Sequence, residues 1–225
     1  MTWIYGLFII VSFVITLITL FQESFATEES EKDNVGLNVG LFLLSTAFLI
    51  SFLGMAVLDF IVTRSDPTDP TVKYERDLAD YDSHALAAEV DDILTKTAEF
   101  YCNICETHVI VGSNHCRICN RCCADFDHHC RWVSNDIGVA NYVEFMRLLL
   151  FTIATLFFGA VLSLITIVRT HEFADLDHVL LNEKELLILN YATLALNVIT
   201  MIFLIYLTSF HGHLIRRGIT TMKYL

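Results

Sequence analysis

The seven cysteines of this 225-residue chain are concentrated in one short segment. All of them fall within 29 positions, from Cys102 to Cys130, and four histidines lie among them. Thiolates and imidazoles at this density bind metal ions, most often Zn²⁺, or perform cysteine chemistry. In a reducing compartment, where disulfides do not persist, the clustering favours metal ligation over disulfide pairing.

Two Cys-x2-Cys pairs in the segment have the spacing of zinc ligands. The pairs are Cys102 with Cys105 and Cys116 with Cys119. A two-residue spacer allows both thiolates to reach one tetrahedral zinc ion at about 2.3 Å. Metal binding would also supply folding energy to a segment with few large apolar residues. The spacing therefore predicts a structural zinc module.

The tetrad Asp127-His128-His129-Cys130 distinguishes this segment from a plain zinc ribbon. A nucleophilic cysteine must be a thiolate. A cysteine beside a carboxylate-oriented imidazole ionises more readily than a lone thiol, whose pKa is about 8.5. We therefore assign Cys130 as the nucleophile of a thiol-dependent reaction.

The tetrad and its surroundings resemble the DHHC-type protein S-acyltransferases, or palmitoyltransferases. The resemblance covers the whole cysteine-rich domain of that family, and Asp66-Pro67 and Thr220-Thr221 match two shorter family elements. Within the domain it is carried by Cys102, Cys105, His115, Cys116, Cys119, Cys122, Asp127, His128, His129, Cys130, Trp132, Val133, Asn135, Gly138, Asn141 and Phe145.

The resemblance implies a two-step acyl transfer. Cys130 would take a long-chain acyl group from acyl-CoA and pass it to a cysteine of a protein substrate at the membrane surface. His128 would act as the base, held by Asp127, while His129 points to the other side of an extended segment and binds zinc. The expected partners are acyl-CoA, protein substrates and the lipid bilayer. Nucleic acid is not expected, because the chain carries no basic stripe.

The resemblance also implies two zinc ions. Most family members have a cysteine where this chain has Asp136. Aspartate is an acceptable zinc ligand, although its harder oxygen should bind zinc less firmly than a thiolate does. The first site would consist of Cys102, Cys105, His115 and Cys122, and the second of Cys116, Cys119, His129 and Asp136.

Other residues keep two interpretations. Lys223 stands where the Thr-Thr-x-Glu element of the family has its acid. Together with Asp136 it leaves open a weakly active or inactive membrane scaffold that keeps the zinc module. Cys123 is a packed thiol or a site of acyl modification, and His108 is predicted to be a surface residue. The remaining basic candidates either contact CoA phosphates or are solvated charges: Arg117, Arg121 and Arg131.

Four apolar windows, 3–22, 38–62, 148–168 and 186–210, must position this segment. They hold 91 residues and one formal charge, Asp59, whereas the other 134 residues carry 39 charges. Each window has about the 20 residues that cross a bilayer as a helix. A cleaved signal peptide is the alternative for 3–22, but its apolar stretch is long and no Lys or Arg precedes it. The polar residues Asp59 and Asn197 should face the bundle interior or a helix end.

The fold class predicted is an all-α polytopic membrane protein with four transmembrane helices and a small cytosolic zinc domain between helices 2 and 3. Eleven of the 14 Lys and Arg residues lie in 64–147 or after 210, so both termini and the middle segment should be cytosolic. An endomembrane, Golgi or endoplasmic reticulum, is expected rather than the plasma membrane. The predicted domains are 1–63 (helices 1 and 2), 64–100 (linker), 101–145 (zinc domain), 146–210 (helices 3 and 4) and 211–225 (tail).

The linker carries its own local signals. Pro67 and Pro70 predict that the second transmembrane helix ends just before them. The apolar residues of 83–100 recur at helical spacing, which predicts a short amphipathic helix capped near Ser83. No internal repeat is evident in the sequence.

Overall fold

The computed structural model describes residues 14, 35–80, 98–172 and 183–225. The helices in these ranges are α1 (Val35–Arg64), α2 (Pro70–Asp80), α3 (Tyr142–Glu172), α4 (Glu183–Arg217) and the single-turn α5 (Thr221–Tyr224). Three predicted spans, 38–62, 148–168 and 186–210, are confirmed as helices long and apolar enough to cross a membrane. The window 3–22 lies outside the described residues except for Val14, which is helical.

Each of the three long helices extends beyond its apolar window. The added turns carry polar and charged residues, among them Arg64 at the end of α1 and Arg216 and Arg217 at the end of α4. Cations in a last turn interact favourably with the helix dipole. Within the protein, only 17% of the most apolar window of α1 and 22% of that of α4 are buried. These helices therefore offer most of their apolar surface to lipid.

The chain divides into two compact units, the first of which contains residues 1–57 and 148–209. In its described part, Leu41, Phe48 and Leu162 form a buried apolar cluster. Gly159 faces Asn197 and Phe48 so closely that an added Cβ would lie 3.0 Å from the Asn197 amide nitrogen. Asn197 is buried, as expected for a polar residue that is costly to expose to lipid.

The second unit, residues 58–147 and 210–225, contains the cysteine-rich segment. Three antiparallel β-hairpins form this segment. The first hairpin pairs β1 (Ala98–Cys102) with β2 (Thr107–Ile110). The second pairs β3 (Asn114–Cys116) with β4 (Arg121–Cys123), and the third pairs β5 (His128–Cys130) with β6 (Asn135–Ile137).

Two predictions need correction here. The chain is not all-α, because each two-residue spacer between metal-ligand positions closes a tight turn and sends the chain back as a short strand. The amphipathic helix expected over 83–100 ends differently, since 98–100 belong to β1, and its earlier part lies outside the described residues. The described linker helix is α2 instead, which begins at Pro70, a residue favoured at the first helical position.

The hairpins form an internal repeat of 14 residues that the sequence analysis missed. Cys102, Cys116 and Cys130 each stand last in the first strand of a hairpin and pair with Thr107, Arg121 and Asn135. Each turn also contains a residue in the left-handed region at the same place, with φ of 51–54°: Glu106, Asn120 and Ser134. The backbone therefore repeats where most side chains change.

Buried polar side chains attach the hairpins to the neighbouring helices. Asp69, which precedes α2 and is fully buried, accepts hydrogen bonds from the backbone N–H of Ile110 at 3.1 Å and from the Ser113 hydroxyl. The Asn135 amide donates to the Val62 carbonyl at 2.8 Å and to the Ser65 carbonyl at 2.9 Å. The third hairpin is thereby fixed to the end of α1.

Candidate active site and metal-ligand groups

The third hairpin carries the tetrad at its first strand. Asp127 precedes β5, and its backbone N–H donates to the Ile137 carbonyl at 2.8 Å. Successive side chains of an extended strand point to opposite sides. His128 accordingly contacts Asp127, while His129 contacts Asp136 on the paired strand.

Asp127 is buried and has partners for both carboxylate oxygens. Its Oδ1 accepts the Thr221 backbone N–H at 2.7 Å. Its Oδ2 accepts the Thr221 hydroxyl at 2.7 Å and lies 2.8 Å from His128 Nδ1. Burial disfavours the charged carboxylate, but these hydrogen bonds outweigh burial and hold the pKa of Asp127 below its usual value. Thr221, which begins α5, therefore fixes the carboxylate that orients His128.

Cys130 completes a line of three polar groups. His128 hydrogen-bonds to Asp127 on one side of its ring and to Cys130 on the other. Burial opposes a charge on His128, yet these two bonds raise its pKa to about 9. Burial would likewise raise the pKa of Cys130. His128 and the backbone N–H groups of Val133 and Trp132 reverse that effect and lower the pKa of the thiol. The arrangement favours a thiolate beside an imidazolium.

Aromatic side chains enclose the His128 ring. Phe145 of α3 makes an edge contact at 5.4 Å between ring centroids, and His211 of α4 lies at 5.6 Å. His211 is buried, its Nδ1 lies 3.0 Å from the Tyr142 hydroxyl, and it lies 4.0 Å from Asp127 Oδ2. Sequence analysis named Phe145 but missed Tyr142 and His211. The available signal was a histidine next to the apolar window that ends at residue 210.

The first set of predicted zinc ligands is brought together by two hairpins. The Sγ atoms of Cys105 and Cys122 lie 3.7 Å apart, and His115 Nδ1 lies 3.3 Å from Cys105 Sγ. In a tetrahedral site with zinc–sulfur bonds of 2.3 Å, two sulfur atoms are separated by about 3.8 Å. The four ligand atoms lie within 4.8 Å of one another and belong to Cys102, Cys105, His115 and Cys122.

The second predicted set is equally close. His129 Nδ1 lies 3.7 Å from Cys116 Sγ, 3.4 Å from Cys119 Sγ and 2.8 Å from Asp136 Oδ1. Asp136 is fully buried. Both sets offer thiolate, imidazole and, in one case, carboxylate donors, which is the chemistry of a closed zinc site. The second set consists of Cys116, Cys119, His129 and Asp136.

The other sequence candidates occupy several environments. Burial raises the pKa of the Cys123 thiol to about 12, and it packs against Phe126, an environment that suits a packed thiol. His108, Arg117 and Arg131 are exposed. The Lys223 ammonium group lies 3.9 Å from Asp125 on the surface. Of the three basic candidates, Arg121 alone takes part in hydrogen bonds that the structure shows, with Asp66, Asn135 and Asp136.

Taken together, a buried Asp–His–Cys line and two Cys/His ligand groups define a thiol-chemistry enzyme site on a zinc-type scaffold. Residues 95–225 match the model of the DHHC palmitoyltransferase family. Because this match covers more than half of the chain, the protein belongs to the DHHC palmitoyltransferase family.

Individual relatives agree over shorter segments. Palmitoyltransferase ZDHHC17 of Rattus norvegicus is 45% identical over 64 residues, which are 27% of this chain and 10% of that protein. Probable protein S-acyltransferase 20 of Arabidopsis thaliana is 32% identical over 142 residues, 56% of this chain and 19% of that protein. Palmitoyltransferase SWF1 of Kluyveromyces lactis is 35% identical over 105 residues, 47% of this chain and 30% of that protein. Each match spans less than a third of the relative.

Proposed function

We propose that this protein is a protein-cysteine S-acyltransferase that carries a long-chain acyl group, such as palmitoyl, on Cys130. The observation that supports this most is the hydrogen-bonded line from Asp127 through His128 to Cys130. A cysteine activated by an oriented imidazole is the arrangement that thioester exchange requires. The names of the relatives describe the same reaction.

In the first step, the Cys130 thiolate attacks the carbonyl carbon of the acyl-CoA thioester. A new carbon–sulfur bond forms, the bond to the CoA sulfur breaks, and CoA leaves as a thiol after taking the proton held by His128. The backbone N–H groups of Trp132 and Val133 hold the attacking sulfur in place before the step. The products are S-acyl-Cys130 and free CoA.

In the second step, a cysteine of a protein substrate attacks the S-acyl group. His128 takes the proton of the incoming thiol, and Cys130 leaves as a thiolate. The enzyme returns to its starting state because the proton lost to CoA is replaced by that of the substrate cysteine. Asp127 keeps His128 in one orientation through both transfers, since its carboxylate is itself fixed by Thr221.

The two ligand groups are assigned to structural zinc ions. The first group holds the first and second hairpins together, and the second group holds the second and third hairpins together. Zinc binding supplies folding energy that hairpins this short cannot supply alone. His129 ties the catalytic hairpin to this scaffold from the residue directly before Cys130. The metal would thus keep β5 in place, and the chain's own residues perform the transfer.

The apolar helices give the acyl chain a binding environment. Each buried methylene contributes about 0.8 kcal/mol, so a long chain among apolar side chains supplies much of the binding energy for acyl-CoA. Both termini and the hairpins would face the cytosol, where CoA is found, and an endomembrane would be the location. Protein substrates with cysteines near the membrane surface would then reach Cys130 from the cytosolic side.

The test is labelling of the full chain, purified in detergent, with palmitoyl-CoA. Wild-type protein should form an adduct that hydroxylamine removes, as expected of a thioester. Cys130→Ser should form none, while Cys123→Ser should label as wild type does. A label that survives in Cys130→Ser would mean that Cys130 is not the nucleophile. A wild-type chain that binds zinc but takes no label would favour the scaffold interpretation.

A further inference from the structure

The two oxygens of the Asp136 carboxylate have different partners. Its Oδ1 lies 2.8 Å from His129 Nδ1, inside the second ligand group. Its Oδ2 lies 3.3 Å from Arg121 Nε. The side chain is fully buried. One oxygen therefore faces the predicted metal, and the other faces a guanidinium group.

This division matters because a carboxylate differs from a thiolate. On the second hairpin, the position equivalent to Asp136 is Cys122, and a thiolate has a single atom to satisfy. A carboxylate that binds metal through one oxygen leaves a second, charged oxygen, and a buried charged atom without a partner is costly. Arg121 supplies that partner in the pair that links β4 to β6.

Arg121 is held in position by other contacts. Its Nη2 donates to Asn135 Oδ1 at 2.6 Å, and its Nη1 donates to Asp66 Oδ1 at 3.1 Å. Its side chain is only 21% exposed. A guanidinium fixed at both ends is pre-organised, so it loses little further conformational freedom when it binds the carboxylate.

The geometry points to Arg121 as the positioning residue that makes Asp136 a zinc ligand, by holding the carboxylate oxygen that does not face the metal. The inference rests on the zinc assignment of the proposed function and on no step of acyl transfer. Hydrogen-bonding partners of metal ligands typically change metal affinity by about 10- to 100-fold when they are removed. An arginine at this place compensates for the replacement of the usual cysteine by aspartate.

The experiment measures zinc on the full chain in detergent, by total metal content and by release to a colorimetric chelator. Four proteins form a double-mutant cycle: wild type, Arg121→Met, Asp136→Cys and the double variant. Wild type should carry two zinc ions. Arg121→Met should lose one of them about 10- to 100-fold more readily. The double variant should keep both as firmly as Asp136→Cys does, because a thiolate has no second oxygen to satisfy.

Arg121→Lys separates charge from geometry, since a lysine keeps the charge without the planar fork. It should fall between wild type and Arg121→Met. Arg117→Met, in an exposed position of the same hairpin, is the matched control and should keep both ions. Thermal unfolding of each variant shows whether it is folded.

Two outcomes overturn the inference. A wild-type chain with one zinc ion would mean that Asp136 does not complete a site. Equal zinc loss in the double variant and in Arg121→Met would mean that Arg121 acts through Asn135 or Asp66 and not through the carboxylate. Neither outcome depends on acyl transfer, so failure here and failure of the labelling test of the proposed function are distinguishable.

Discussion

The second and third hairpins have the same backbone and different chemistry. In the second, His115 pairs with Cys122 and Cys116 with Arg121; in the third, shifted by 14 residues, His129 pairs with Asp136 and Cys130 with Asn135. In both, the N–H of the residue three positions after the first cysteine donates to its sulfur. The turn that presents a metal ligand in one hairpin presents the nucleophile in the other.

One position separates the two outcomes. The residue three places after the first cysteine is Cys119 in the second hairpin and Val133 in the third. With Cys119, two thiolates point at one place and form part of a ligand group. With Val133, Cys130 has no second thiolate beside it and belongs to neither predicted zinc group, and His128 is its partner instead. A reactive cysteine thus results when a metal turn loses one of its ligands.

The largest expected effect comes from removing the metal, because the two hairpins share a ligand group. Stripping zinc with a chelator should abolish acyl-enzyme formation altogether, since β5 loses the attachment that His129 provides. Labelling with palmitoyl-CoA and zinc content, measured together on the same sample, check this, and added zinc should restore part of the activity. Unchanged labelling of a metal-free chain would show that the third hairpin stands without the second.

The next effect distinguishes the hairpins through the carboxylate that only the third one uses for catalysis. Asp127→Asn keeps the shape of the side chain but weakens the orientation of His128 and the stabilisation of its charged form. We expect acyl-enzyme formation to fall by about 10²- to 10⁴-fold, the range of general acid–base contributions. Zinc content should stay at two ions, because Asp127 belongs to neither predicted zinc group. Loss of zinc in this variant would mean that Asp127 acts mainly in folding.

Val133→Cys should convert the third hairpin towards the second. Cys130 would then share its turn with a second thiol, and two thiolates at this spacing bind zinc. We expect acyl-enzyme formation to fall by about tenfold or more in added zinc, with bound metal rising from two ions towards three and with recovery at limiting zinc. Val133→Ala is the control for lost packing. If both variants lose the same activity with no extra metal, the side chain of Val133 matters only for packing.

Part of this comparison was predictable from the sequence. The pairs Cys102/Cys105 and Cys116/Cys119 have a spacing that allows only a few tight turns, and the tetrad identified Cys130. The apolar windows identified α1, α3 and α4 because about 20 uncharged residues have few alternatives. Partners that depend on distant contacts were different: Arg121 with Asp136 and Thr221 with Asp127 required the folded chain.

The 14-residue repeat escaped sequence analysis for a physical reason. A β-hairpin of this size is defined by strand register and by a turn residue in the left-handed region, both of which many side chains tolerate. Glu106, Asn120 and Ser134 hold that conformation with three different residue types. The predicted all-α class failed for the same reason, because strands of three residues leave no periodic pattern to read.

The smallest expected effect concerns His211, for which the second hairpin has no counterpart. Its ring faces His128 and its Nδ1 contacts Tyr142, so it limits rotation of the His128 ring away from Cys130. His211→Ala should lower the rate of acyl-enzyme formation by about tenfold and leave the KM for acyl-CoA unchanged, since a small misalignment of a reacting group is costly. His211→Phe keeps the aromatic wall without the polar contact and should recover part of the rate. His213→Ala, on an exposed position of the same helix, is the control. A change in KM without a change in rate would place His211 in substrate binding and leave His128 to be held by Asp127 and Phe145 alone.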